Sequence, residues 1–302
     1  MTTLIAKFLE HLEVERNYSR HTIAAYRRDL NQFSAFLESQ PDGDVLQNPS
    51  EIGKAAIRNF LGYLHTEQYS KRTIARRFAA VRSWFHYLCR EGLVKANPAL
   101  YLTSPKLDQR LPKFLDQAQV EELVELPDRT NLSGVRDSAI IELLYGTGMR
   151  VSEMVALEVR SVDFSGERVR VIGKGDKERL VPLGGHALVA VESYLEHRNA
   201  RWESQHKKAR QETALFLNHR GRRITSRGVQ TILAKYGLQM GHDKLTPHTL
   251  RHTAATHLLD AGADLIAVKE ILGHERLSTT QVYTHVALDR LRRTYEKAHP
   301  KA

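Results

Sequence analysis

The run from Thr246 to His285 reads TPHTLRHTAATHLLDAGADLIAVKEILGHERLSTTQVYTH, gathering His248, Arg251, His252, His274 and Tyr283 in one C-terminal window. Thr246 and Pro247 predict a helix start, since threonine caps a helix and proline is tolerated in its first turn. His248 and Arg251 then stand one turn apart on a shared face, where a proton-transfer group and a fork-shaped cation could meet one small anion. A phosphate fits that description. Taken singly, a helical histidine is more often a surface or satisfied core residue, so the reading depends on the rest of the chain supplying the other parts of a phosphoryl-transfer site.

The 302 residues exceed the size at which one hydrophobic core usually stops growing, so two domains are expected. A formal net charge of +10 points to a polyanionic partner, because clustered Lys and Arg gain by releasing counterions from nucleic acid. The single cysteine, Cys89, excludes an intramolecular disulfide framework and fits a reducing compartment. The opening MTTLIAKFLEHLEVERN carries acids at helical apolar spacing, unlike a secretion signal. No run approaches the roughly 20 apolar residues needed to span a bilayer. A cytoplasmic location is expected.

In the N-terminal third, apolar residues recur at helical spacing four times: Ile5, Phe8, Leu9, Leu12; Ile23, Tyr26, Leu30, Phe33, Leu37; Ile57, Phe60, Leu61, Leu64; and Ile74, Phe78, Val81, Phe85, Leu88. This predicts a small all-α bundle. Tyr18-Ser19-Arg20-His21-Thr22-Ile23-Ala24 is echoed by Tyr69-Ser70-Lys71-Arg72-Thr73-Ile74-Ala75. Both copies open a helix with a capping serine followed by cations, an arrangement that suits two phosphates. Ordinary capped helices with solvated Lys and Arg explain it equally well. Arg76, Arg77 and Arg82 on the fourth helix tilt the reading towards DNA.

The stretch SPKLDQRLPKF, Ser104 to Phe114, has two prolines and no periodicity, and reads as the interdomain linker. It would let two basic domains close around a duplex, though a solvated tether has the same composition. Asp116 is expected to cap a helix through Val120, Leu123 and Val124, and an apolar helix runs from Val135 to Tyr145, ending at Gly146-Thr147-Gly148. Arg150 follows that turn and begins the next helix, with Glu153 one turn on to orient it. Arg168 to Ile172 and Arg179 to Leu183 predict a β-hairpin with Lys174 near its tip. Its Gly-Lys-Gly lacks the GxxxxGK[ST] pattern, so ATP binding is unsupported. A charged helix should run from Leu188 to about Arg210, then Leu215-Phe216-Leu217 as a short strand or entry segment. Arg222 and Arg227, in a basic turn before a helix at Val229–Tyr236, suit DNA-backbone contacts as well as a solvated loop.

Attack on a phosphodiester by a protein hydroxyl needs its charge stabilised, the nucleophile deprotonated and the leaving oxygen protonated. Arg150 and Arg251 could hold the non-bridging oxygens, Lys174 could protonate the departing oxygen, His248 could exchange the nucleophile's proton, and Tyr283 could attack. His274 could bind the phosphate or position the tyrosine. A metal hydrolase built on His248, His252 and His257 lacks the HExxH pattern and an acidic ligand cluster, so no metal is expected.

In this order, Arg150 in RVSE, Lys174 in the hairpin, HTLRH at His248 to His252, LGH at His274 and VYTH around Tyr283 resemble the tyrosine recombinase (phage integrase) family. The resemblance covers the whole chain and is nearest to the Xer type, the XerC/XerD chromosome-dimer recombinases, with the ending TYEKAHPKA more like the XerC branch. It implies a mainly α fold with a small antiparallel β-sheet: a four-helix core-binding (SAM-like) DNA-binding domain at 1–105, a linker at 106–112 and a catalytic domain at 113–302, forming a C-shaped DNA clamp. It implies Arg150, Lys174 (with Lys177 as a competitor), His248, Arg251, His274 and the nucleophile Tyr283 as the catalytic set. The DNA-binding set read from the residues is Ser19, Arg20, Ser70, Lys71, Arg72, Arg76, Arg77, Arg222 and Arg227.

The implied reaction links one strand to the enzyme through a 3′-phosphotyrosine and proceeds through a Holliday junction, with no ATP, metal or other cofactor in the chemistry. Implied partners are duplex DNA with paired half-sites, a tetramer of this chain or of a homologous recombinase on two duplexes, and a septal DNA translocase of the FtsK type. The apolar stripe Leu288, Leu291 and Tyr295 either packs on its own domain or, as the family implies, docks onto a neighbouring protomer. The implied task is chromosome-dimer resolution at a dif-like site. The rivals are a mobile-element integrase, a non-catalytic DNA-binding regulator, and a type IB topoisomerase-like relaxation.

Overall fold

The computed structural model describes residues 1–16, 18–42, 48–105, 114–173, 178–205, 212–242, 244–273 and 298–300, with the backbone alone over 201–205. The chain divides into two units, Met1–Arg110 and Leu111–Ala302. The linker expected at 106–112 lies outside the described residues.

In the first unit the four expected stripes become four helices: α1 (Thr2–Val14), α2 (Arg20–Glu38), α3 (Lys54–Thr66) and α4 (Lys71–Arg90). Their apolar faces meet in one core, where the Phe33 ring packs 5.0 Å from Phe60 and edge-on to Trp84 and Phe85. Trp84 is wholly buried, although the predicted stripe omits it. Val81, Trp84, Phe85 and Leu88 form a wider face than the minimal spacing requires. The sequence repeat is also a structural one. Ser19 and Ser70 cap α2 and α4, each hydroxyl accepting the amide N–H three residues on at 3.2 Å. Neither helix has an acid in its first turn, so both positive dipole ends stay uncompensated.

The second unit is organised around α6 (Leu132–Thr147), which from Val135 to Thr147 is buried at every residue except Arg136. A helix with no polar stripe has to be enclosed. It packs against α5 (Gln117–Glu125), α8 (Gly185–Gln205), α9 (Ser226–Gln239) and α10 (Pro247–Asp260). Asp116 caps α5 by accepting the Gln119 amide at 2.8 Å. The short α7 (Val151–Ala156) leads into a three-stranded antiparallel sheet in the order β1 (Val162–Asp163), β2 (Arg168–Ile172), β3 (Glu178–Pro182). The expected hairpin pairs Arg168 with Pro182 and Ile172 with Glu178. The two-residue β1 and α11 (Leu265–Leu272) as a separate helix are among the features that go beyond the sequence reading. Leu215–Leu217 is an entry segment, flanked by the isolated pairings Glu158 with Ala214 and Leu217 with Arg223.

Candidate active site

Two helices end on left-handed glycines, and a third supplies the cation that joins them. Gly148, with φ +57°, terminates α6, and Gly273, with φ +68°, terminates α11. Arg251, on α10, donates from Nη1 to the Gly148 carbonyl at 2.6 Å and from Nη2 to the Leu272 carbonyl at 2.7 Å. Carbonyls at helix C-termini lack intrahelical donors and carry the negative end of the helix dipole, so a buried guanidinium is well placed there. Arg150, the N-cap of α7, donates from Nη2 to the next carbonyl, that of Gly273, at 3.0 Å. Arg150 and Arg251 are therefore brought side by side on consecutive carbonyls.

Glu153 ties this pair to the sheet. Its Oε1 accepts from Arg150 Nη1 at 3.0 Å and from Arg179 Nη1 at 2.9 Å. Its Oε2 accepts from Arg179 Nη2 at 2.9 Å and from the Arg150 backbone N–H at 2.8 Å. Burial alone would push Glu153 up; the Arg179 fork, the Arg150 amide and the two positive charges outweigh it and hold the carboxyl below its usual range. Three guanidiniums around one carboxylate leave two net positive charges. For Arg251 burial, reinforced by Arg150 and Arg179, lowers the pKa to about 10, which still leaves it cationic at neutral pH. Such a cluster can bind and stabilise an anion.

His248 is exposed in the first turn of α10, one turn before Arg251. Lys174, its competitor Lys177, His274, Tyr283 and the stripe Leu288, Leu291 and Tyr295 lie outside the described residues, although both sides of the hairpin and Gly273, next to His274, are described. At the end of the chain, Ala298 and His299 are buried in the second unit, with the His299 ring 4.8 Å from Tyr145. His257 is taken up by Tyr145, whose hydroxyl lies 2.9 Å from Nδ1.

Among the expected DNA contacts, Arg20, Lys71, Arg72, Arg222 and Arg227 are exposed. Ser19 and Ser70 are occupied as caps. Arg76 is half exposed and paired with the buried Asp29. Arg77 differs from expectation. Its side chain is only 13% exposed, stacks 3.8 Å over the Tyr69 ring and stands beside Asp29, whose buried charge demands nearby cations. The residue missed by sequence reading is Arg179. Strand alternation would have found it, since it shares the inward face with Val181 and a buried arginine requires a carboxylate.

Two family models match the chain: the phage integrase family over residues 113–290, and the phage integrase N-terminal SAM-like domain over residues 5–92. The chain belongs to the phage integrase family. Tyrosine recombinase XerC of Pelotomaculum thermopropionicum is 44% identical, over 99% of this chain and 98% of the relative. Tyrosine recombinase XerD of Listeria monocytogenes is 42% identical over the full length of both. These near-equal identities do not separate the two branches. As a tyrosine recombinase of the phage integrase family, the chain is a site-specific DNA recombinase. Its fold is also that of the XerH site-specific recombinase solved on a difH substrate, at a TM-score of 0.69 over 96% of this chain and 83% of that one; at 22% identity that likeness concerns the fold alone.

Proposed function

We propose that this recombinase cuts and rejoins duplex DNA at paired half-sites to resolve chromosome dimers, with Tyr283 as nucleophile. The Tyr283 phenol attacks the scissile phosphorus, forming a P–O bond to tyrosine and breaking the bond to the 5′ oxygen. The phenolic proton passes to His248, and the departing oxygen takes a proton from Lys174, leaving a 3′-phosphotyrosine and a free 5′-hydroxyl. A 5′-hydroxyl from a partner duplex reverses these steps, so the bond energy is conserved through a Holliday junction. Arg150 and Arg251, with His274, stabilise the charge on the non-bridging oxygens. A guanidinium has five N–H donors, and the contacts described above leave others for phosphate.

The observation that carries this reading is the convergence of Arg150 and Arg251 on Leu272 and Gly273, the two residues before His274. The exposed Arg20, Lys71, Arg72, Arg222 and Arg227, with the two capped helix starts, would hold the DNA backbone. The working assembly is a tetramer of this chain, or of this chain with a homologous recombinase, on two duplexes, activated by a septal DNA translocase. The location is cytoplasmic; among the described residues no helix is long and apolar enough to cross a membrane.

The test is incubation with a library of nicked suicide duplexes carrying random cores. The wild-type chain should give an SDS-resistant protein–DNA adduct and Tyr283→Phe should give none. An adduct that persists in Tyr283→Phe, or a wild type that binds DNA without forming one, contradicts the proposal, the latter in favour of a non-catalytic regulator.

A further inference from the structure

We propose that Arg179 is a positioning residue for strand cleavage, holding Arg150 through Glu153 and fixing the turn that leads into His274. This rests on the reading that Arg150 and His274 serve the scissile phosphate. Arg179 is 7% exposed, sits on β3 and grips Glu153 with both terminal nitrogens. The face of its guanidinium lies against Gly273. A Cβ added there would come within 2.9 Å of Arg179 Cζ and 3.1 Å of Nε, so only glycine admits this stacking. One side chain thus touches both the carboxylate that orients Arg150 and the backbone directly before His274.

A purely stabilising ion pair explains these contacts poorly. Buried ion pairs seldom outperform apolar residues of similar volume, because desolvation offsets their attraction. Here the Arg179 Nε is in addition buried without a hydrogen-bond partner, a further cost. What the arrangement does supply is charge at the right place. Arg150 and Glu153 alone would form a neutral pair, with the carboxylate competing against phosphate for the guanidinium. Arg179 occupies both oxygens of Glu153, leaving Arg150 oriented while its positive charge stays uncompensated. As the second residue of β3, Arg179 also anchors the strand that follows Lys174 in the sequence.

The test uses the full-length chain and a nicked duplex recovered from the library above, alongside the same duplex with a neutral methylphosphonate at the scissile position. Arg179→Gln and Arg179→Lys are each checked for folding by circular dichroism. At saturating duplex, Arg179→Gln should form adduct on the order of 10- to 100-fold more slowly than wild type, with Kd by gel shift changed less than about 2-fold. The deficit should shrink on the methylphosphonate, which removes one negative charge from the group being stabilised, and Arg179→Lys should recover part of the rate. A wild-type rate for Arg179→Gln, a deficit equal on both duplexes, or a loss confined to Kd overturns the proposal. Should Arg179→Gln unfold, Arg179→Lys decides: adduct formation slowed with unchanged Kd supports the need for the fork, and a wild-type rate refutes it. Failure of the underlying reading looks different, since the wild type itself would then form no Tyr283-dependent adduct.

Discussion

At the scale of single residues, Glu153 has the most to do. It receives four donors, from Arg150 and Arg179, and its carboxyl is held below the ordinary value of 4.5. A depressed carboxylate contributes stability that is present above its unfolded pKa and lost as pH falls through the folded one. Wild-type stability, followed by urea unfolding, should therefore decline below about pH 4.5, whereas Glu153→Gln should lack this component and show a shallower slope. At neutral pH the same substitution should destabilise by about 3 kcal/mol, because the buried Arg179 guanidinium, together with the half-exposed Arg150, loses its counterion. Parallel pH profiles for the two proteins would rule the assignment out. The pairing of Glu153 with Arg150 was legible from the RVSE spacing. That with Arg179 was not, because it joins a helix to a strand 26 residues away.

At the scale of elements, the site depends on where α6 and α11 stop. A Cβ at Gly148 would come within 2.6 Å of Leu272 Cδ2, and its φ of +57° is unfavourable for a side chain. Gly148→Ala should cost about 1–3 kcal/mol in urea unfolding, from backbone strain together with the displacement of α11. A midpoint equal to wild type would show that the two helix ends are not locked together. The helices of the first unit were readable because each buries one periodic face, and the hairpin because its strands alternate. α6 was readable as an apolar run but not as the central element, since a helix buried all round carries no directional signal. β1, only two residues long, is too short to show a period. Arg77 misled because a cation next to other cations on a helix looks solvent-facing, while its partner Asp29 lies on a different helix.

At the scale of the whole molecule, a net charge of +10 and two acid-free, serine-capped helix starts predict salt-sensitive DNA binding. The exposed Arg20 and Arg72 occupy the first turns of those helices. The double variant Arg20→Ala/Arg72→Ala should weaken binding to the recovered duplex and reduce the slope of log Kd against log salt by about 2, one unit for each phosphate no longer neutralised. An unchanged slope would mean that these cations are merely solvated.

The central claim is that Tyr283 becomes linked to a 3′-phosphate. Trapped adduct can be digested and the nucleotide-bearing peptide sequenced by mass spectrometry, while the released strand is tested for a free 5′-hydroxyl by kinase labelling. The account predicts the nucleotide on Tyr283 and a strand that accepts label without prior phosphatase treatment. Linkage at another residue, or a released strand blocked by a 5′-phosphate, would contradict it.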